Sequence, residues 1–147
     1  MKKILFICTG NYYRSRFAEE YFNHLAESSG LNYQAFSKGL SENMPNPGNP
    51  GPISEHVLKA LKQRNIAGRG LSRFPRPLEE KDFNGYNIII ALSEIEHRPM
   101  LERRFNQHLD KVLFFEVGDL PLEHPESAMN KLAVMVKDLL EGISQTG

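Results

Sequence analysis

A single cysteine, Cys8, closes an apolar run and stands six residues before Arg14, in Lys3-Ile4-Leu5-Phe6-Ile7-Cys8-Thr9-Gly10-Asn11-Tyr12-Tyr13-Arg14-Ser15. The order is a strand, a tight Cys-x5-Arg loop, then a helix, and no other stretch constrains the fold as much. A strand without polar interruption belongs inside a parallel sheet. A loop that leaves it and enters a helix at once can turn several backbone N–H groups inward, with the positive helix terminus behind them. Gly10 permits a sharp turn and close backbone approach. Asn11 is among the few non-Gly residues that accept a left-handed conformation. Arg14 brings a planar fork that can pair with two oxygens of a tetrahedral anion. A thiol beside a helix terminus and a cation ionises more readily than a free one. The pattern therefore predicts an anion socket with Cys8 as a nucleophile at its floor and Ser15 in reach to donate a hydrogen bond to the sulfur. A buried small residue is the plainer reading of a lone cysteine after a strand, but the ordered Gly-Asn and Arg-Ser pairs favour the socket.

The remaining chain fits the fold that such a socket needs. Apolar residues at helical spacing (Ala18, Tyr21, Phe22, Leu25) predict a helix over 15–29, ended by Gly30. Strands are expected at 3–8, 33–37, 87–91 and 111–115, and further helices at 54–64, 93–105 and 126–143. Ser54 and Ser93 are candidate N-caps, and Pro99 must lie early in its helix or kink it. A Pro/Gly/Asn-rich loop spans 40–52. Strands alternating with helices imply an α/β fold. The expectation is one three-layer domain over residues 1–147, a four-stranded parallel sheet flanked by helices, with the phosphate-binding loop at the C-terminal end of strand one.

Composition narrows the setting. With 147 residues, 40% of them apolar, and 18 basic residues against 18 acidic ones, the chain reads as a soluble globular domain with no charge bias toward nucleic acid or membrane. No stretch approaches the ~20 apolar residues of a membrane span, and the short apolar start is too brief for a signal segment. One cysteine cannot form an internal disulfide, which suits a reducing cytoplasm. The five histidines show no metal spacing. His24, His56 and His108 read as solvent-facing, and no role is assigned to His97.

The socket residues resemble the signature of the low-molecular-weight protein tyrosine phosphatase family, Cys-x-Gly-Asn-x-x-Arg-Ser, at Cys8, Gly10, Asn11, Arg14 and Ser15. The stretches Pro52-Ile53-Ser54 with Val57-Leu58, Asp82-Phe83 through Leu92, Val112-Leu113-Phe114-Phe115 and the final helix extend the likeness over nearly the whole chain. The resemblance implies a phosphomonoesterase acting on phosphorylated protein or a small phosphomonoester through a phosphocysteine, without metal or cofactor. Cys8 would attack phosphorus, while Arg14 and the amides of Thr9, Gly10, Asn11, Tyr12, Tyr13 and Ser15 would hold the oxygens. It also implies a general acid, an Asp followed by Pro, between the last strand and the last helix. This chain has no Asp-Pro there. Asp119, one residue from Pro121, is the expected acid, with Glu123 and His124 as alternatives.

Other departures bear on substrate choice. Leu120 and Leu122 stand where the family commonly has aromatic residues. Tyr12 is available as a replacement wall or as a partial lid. Arg16 replaces a Pro and is expected either to add charge near the mouth or to be solvated. Arg69, Arg73 and Arg76 read as a solvated loop or as a steering patch. A catalytically weak or inactive phosphate-binding module is the main alternative. An arsenate reductase would need further cysteines, and a phosphocarrier would not need the Arg-Ser pair.

Overall fold

An uninterrupted apolar strand needs cover on both faces, and Lys2–Cys8 (β1) receives it. The computed structural model describes residues 1–44, 46–119 and 122–146. The other strands are Tyr33–Gly39 (β2), Ile88–Ala91 (β3) and Val112–Phe114 (β4). All pairings are parallel, in the spatial order β2-β1-β3-β4. Successive β1 side chains point to opposite faces. Ile4 and Phe6 join Phe17, Phe22, Leu61 and Leu132, whereas Leu5 and Ile7 join Phe83, Leu101 and Phe105. These four strand residues are at most 1% exposed, and burying each such side chain contributes about 1.5–3 kcal/mol. The fold is the expected three-layer α/β arrangement with a four-stranded parallel sheet.

The helices are Arg14–Ser29 (α1), Glu55–Gln63 (α2), Glu94–Phe105 (α3) and Pro125–Thr146 (α4). The first, second and fourth supply one apolar layer, and the third supplies the other. Both expected serine caps are present. Ser54 accepts a hydrogen bond from His56 N and Ser93 accepts one from Glu96 N, each at 3.2 Å. Gly30 closes α1 in the left-handed region at φ 70°. Pro99 sits inside α3, as its sixth residue. The last helix begins with Pro125, whose fixed φ suits a first helical position, and runs beyond the expected end at 143.

Helix α1 begins unusually. Its N-cap, Tyr13, makes no side-chain capping bond, and its first turn carries no acidic residue. The positive end of the helix is thus left open where β1 delivers Cys8. The register sets Cys8 beside Gly39, and the chains continue side by side through Leu40 N to Cys8 O and Ser41 N to Thr9 O. No helix among the described residues is long and apolar enough to cross a membrane.

Candidate active site

The loop from Cys8 to Ser15 is shaped chiefly by Asn11, which is fully buried and left-handed at φ 49°. Its amide nitrogen donates to Ser15 Oγ and Ser37 Oγ, each at 2.9 Å. Its carbonyl oxygen accepts from Arg76 N at 2.9 Å. Ser37 Oγ in turn donates to Glu19 Oε1 at 2.5 Å, and Arg73 grips Glu19 at 2.8 and 3.0 Å. Three elements therefore fix one strained residue, with α1 and β2 supplying the partners and the loop after α2 the third anchor. Among the described residues, the N–H groups of Gly10, Asn11, Tyr12 and Tyr13 donate to no protein acceptor. Buried or half-buried amides left open in a concave loop form an anion cradle.

Cys8 is 2% exposed, and its Sγ lies 2.9 Å from Ser15 Oγ. Because Ser15 Oγ already accepts from Asn11, its own proton is available to the sulfur. Arg14 is nearly completely buried. Its Nη1 donates to Glu96 Oε2 at 2.9 Å and to Val117 O at 2.7 Å, and its Nη2 donates to Glu96 Oε1 at 3.0 Å. Asp119 Oδ2 lies 3.4 Å from Nη2. Burial alone would lower the Arg14 pKa, but the negative groups at Cys8, Glu96 and Asp119 outweigh it and raise the pKa. Burial likewise pushes Glu96 up, and the hydrogen bond and charge of Arg14 win and hold it below the usual carboxylate range. The two residues form an ionised, fork-to-fork pair.

Seven of the nine expected site residues line one cavity of about 240 Å³: Cys8, Thr9, Gly10, Tyr12, Tyr13, Arg14 and Asp119. Asn11 and Ser15 lie buried behind it. Ser41, Asn46, Asn49 and Ser54 supply the outer wall. Tyr12 stands at the mouth, its hydroxyl donating to Pro50 O at 2.5 Å. The alternatives to Asp119 face elsewhere. Glu123 accepts from Gly118 N at 3.1 Å and from Lys131 at 2.6 and 3.0 Å, and the Lys131 bond above all lowers its pKa. His124 lines a separate cavity between α2 and α4. Leu122 is exposed, while Leu120 and Pro121 lie outside the described residues. Among those residues, no group of three or more His, Cys, Asp or Glu is placed to hold a metal ion.

Several expectations need correction. Arg16 neither lines the mouth nor meets solvent: it is fully buried. Its Nη1 donates to Pro52 O at 2.8 Å and its Nη2 to Gly70 O at 2.7 Å, tying two loops to the back of the socket. Burial, aided by Arg73, lowers its pKa to about 10. Arg73 is paired with Glu19 and is not part of a solvated patch. His108 stacks on Phe83 at 4.5 Å and contacts Glu80. His97 is fully buried, and its Nε2 meets Thr9 Oγ1 at 3.1 Å. Glu96 had no sequence signal beyond a Ser-x-x-Glu pattern, which reads as a helix cap and gives no hint of Arg14.

A parallel sheet that ends in an amide cradle, with a thiol at the floor and a carboxylate at the rim, defines a cysteine-dependent phosphatase. A family model described as "Low molecular weight phosphotyrosine protein phosphatase" matches residues 3–119. A protein-arginine-phosphatase from Bacillus subtilis (strain 168) is 33% identical over 109 residues, spanning 74% of this chain and 67% of that protein. A crystal structure of a YwlE mutant from Bacillus subtilis superposes with a TM-score of 0.81 at 26% identity, covering 98% of this chain and 99% of that one. A low molecular weight protein tyrosine phosphatase from T. tengcongensis superposes with a TM-score of 0.78 at 25% identity, covering 97% and 99% of the two chains. This chain belongs to the low molecular weight phosphotyrosine protein phosphatase family, a family of phosphatases acting on phosphorylated proteins.

Proposed function

We propose that this protein dephosphorylates tyrosine side chains of proteins through a phosphocysteine at Cys8. The observation that carries the reading is the single cavity holding Cys8, Arg14, Asp119 and the open amides of the loop. The Cys8 thiolate attacks phosphorus, the sulfur–phosphorus bond forms, and the bond to the tyrosine oxygen breaks. Asp119 gives its proton to the departing oxygen. Water then attacks phosphorus, Asp119 takes the proton back, and inorganic phosphate leaves the regenerated sulfur. Arg14 and the amides balance charge on the three equatorial oxygens, and this positioning is the main demand of phosphoryl transfer. The Tyr12 ring, anchored to Pro50 O, serves as the wall against which the substrate ring lies. The lone cysteine suits a cytoplasmic setting.

The likeness to a protein-arginine-phosphatase favours a second reading. The same steps would then cleave a phosphorus–nitrogen bond, and Asp119 would protonate a guanidino nitrogen. Comparing kcat/KM for matched phosphotyrosine and phosphoarginine peptides decides between them. A Cys8→Ser variant must abolish turnover of either substrate. Turnover that survives in Cys8→Ser refutes both readings, and phosphate binding without turnover by the unaltered protein indicates a non-catalytic binder.

A further inference from the structure

The hydroxyl of Tyr13 is buried and has no hydrogen-bond partner, in a residue only 5% exposed that lines the catalytic cavity. A buried donor without an acceptor destabilises a fold, and phenylalanine would fill the same space without that cost. The ring is well seated, meeting His56 edge-on at 6.2 Å, so packing accounts for the ring and leaves the oxygen unexplained. Its surroundings indicate a role. Burial first, then the negative charges of Asp119 and Glu123, push its pKa up to about 12 against the opposing charge of Arg14. The group therefore stays a neutral donor across the physiological range, in the same cavity as the Asp119 carboxylate.

We propose that Tyr13 is a positioning residue for Asp119, its hydroxyl donating to the Asp119 carboxyl when a phosphate dianion occupies the socket. This rests on the assignment of Asp119 as the general acid. Asp119 Oδ2 lies 3.4 Å from Arg14 Nη2. A dianion in the cradle engages Arg14 and repels a second negative charge, so Asp119 is best accommodated as the protonated acid. A protonated carboxyl has one O–H to donate and one carbonyl oxygen to accept. Tyr13 supplies the donor for that oxygen, and the acid proton is then directed at the leaving oxygen.

The test uses Tyr13→Phe, Asp119→Asn and the double variant. Phenyl phosphate, a poor leaving-group substrate, is compared with para-nitrophenyl phosphate, whose departure needs little protonation. Tyr13→Phe should lower kcat for phenyl phosphate by about tenfold, as expected for one lost hydrogen bond to a reacting group. It should hardly change kcat for para-nitrophenyl phosphate. Adding it to Asp119→Asn should have no further effect, because coupled residues are non-additive. Its melting temperature should rise, since an unsatisfied buried group is removed. Equal losses on both substrates, or a full additional loss in the Asp119→Asn background, would overturn the role. Unchanged phenyl phosphate turnover in Tyr13→Phe beside a slow Asp119→Asn overturns it alone. Wild-type turnover in Asp119→Asn overturns the acid assignment and this role with it.

Discussion

Gly39 gives the sharpest test of how the socket is built. It ends β2 opposite Cys8, with its N–H bound to Arg76 O and its carbonyl bound to Leu78 N. A Cβ placed on it would lie 2.8 Å from Thr9 O and 2.9 Å from Asn11 N, and would run into Met44 Cε. The methionine end can swing aside. The other two atoms are backbone of the anion cradle and can separate only if the loop moves. Relieving the closer contact from 2.8 Å to the ordinary range at 3.4 Å shifts Thr9 O by about 0.6 Å. Overpacking of this kind costs about 1–3 kcal/mol, or roughly 3–10 °C in Tm for a domain of this size. The catalytic loss should be larger in proportion, because a misplacement near 1 Å can cost about 10²-fold in rate. Gly39→Ala should therefore melt cooperatively but turn over para-nitrophenyl phosphate about 30- to 100-fold more slowly. A folded Gly39→Ala protein with kcat within about twofold of wild type would refute the claim that β2 sets the shape of the cradle.

Three further outcomes follow from residues described above. Arg16→Ala strands the Pro52 and Gly70 carbonyls and should cost about 3 kcal/mol, lowering Tm by roughly 10 °C; an unchanged thermal melt would show that the buried guanidinium ties nothing together. His97 titrates at about 4 in the folded protein against an ordinary 6.5, first because burial and then because Arg14 disfavour its cation. The unfolded chain thus takes up this proton first as pH falls, and the stability due to His97 is complete above about 6.5 and lost towards about 4, by up to about 3 kcal/mol. Urea melts at about pH 7 and about pH 4.5 should show this slope in wild type and a flatter one in His97→Gln; equal slopes would remove the effect. Glu96→Gln keeps the shape of the pair with Arg14 but removes its charge and one acceptor, so kcat should fall by about tenfold without a comparable loss of stability; a wild-type kcat would show that Arg14 needs no clamp.

Local chemistry was legible in the sequence and long-range pairing was not. Asn11 stood out by residue type alone as able to turn left-handed, and strand β1 and the order of the socket residues could be read because each depends on neighbours within eight residues. The caps at Ser54 and Ser93 could be read for the same reason. Glu96 could not be foreseen, because its partner lies 82 positions away and nothing in a Ser-x-x-Glu pattern names Arg14. Arg16 was misread because an arginine in a first helical turn is usually solvated, and only the return of the loops at Pro52 and Gly70 closes over it. Tyr13 was counted for its backbone amide, since the isolation of a hydroxyl is a property of packing. The choice of Asp119 over Glu123 as the cavity-lining carboxylate depends on Lys131, the seventh residue of α4, which holds Glu123 away.

The guanidinium of Arg14 reaches forward 82 positions to Glu96 and 103 to Val117 for its anchors. On a ribosome the sulfur is made well before those anchors, so a growing chain carries an unassembled centre until residue 117 has been added. Competence waits on the return of that distant segment, and a product that stops short of Glu96 lacks the clamp on Arg14 however well β1 and α1 form.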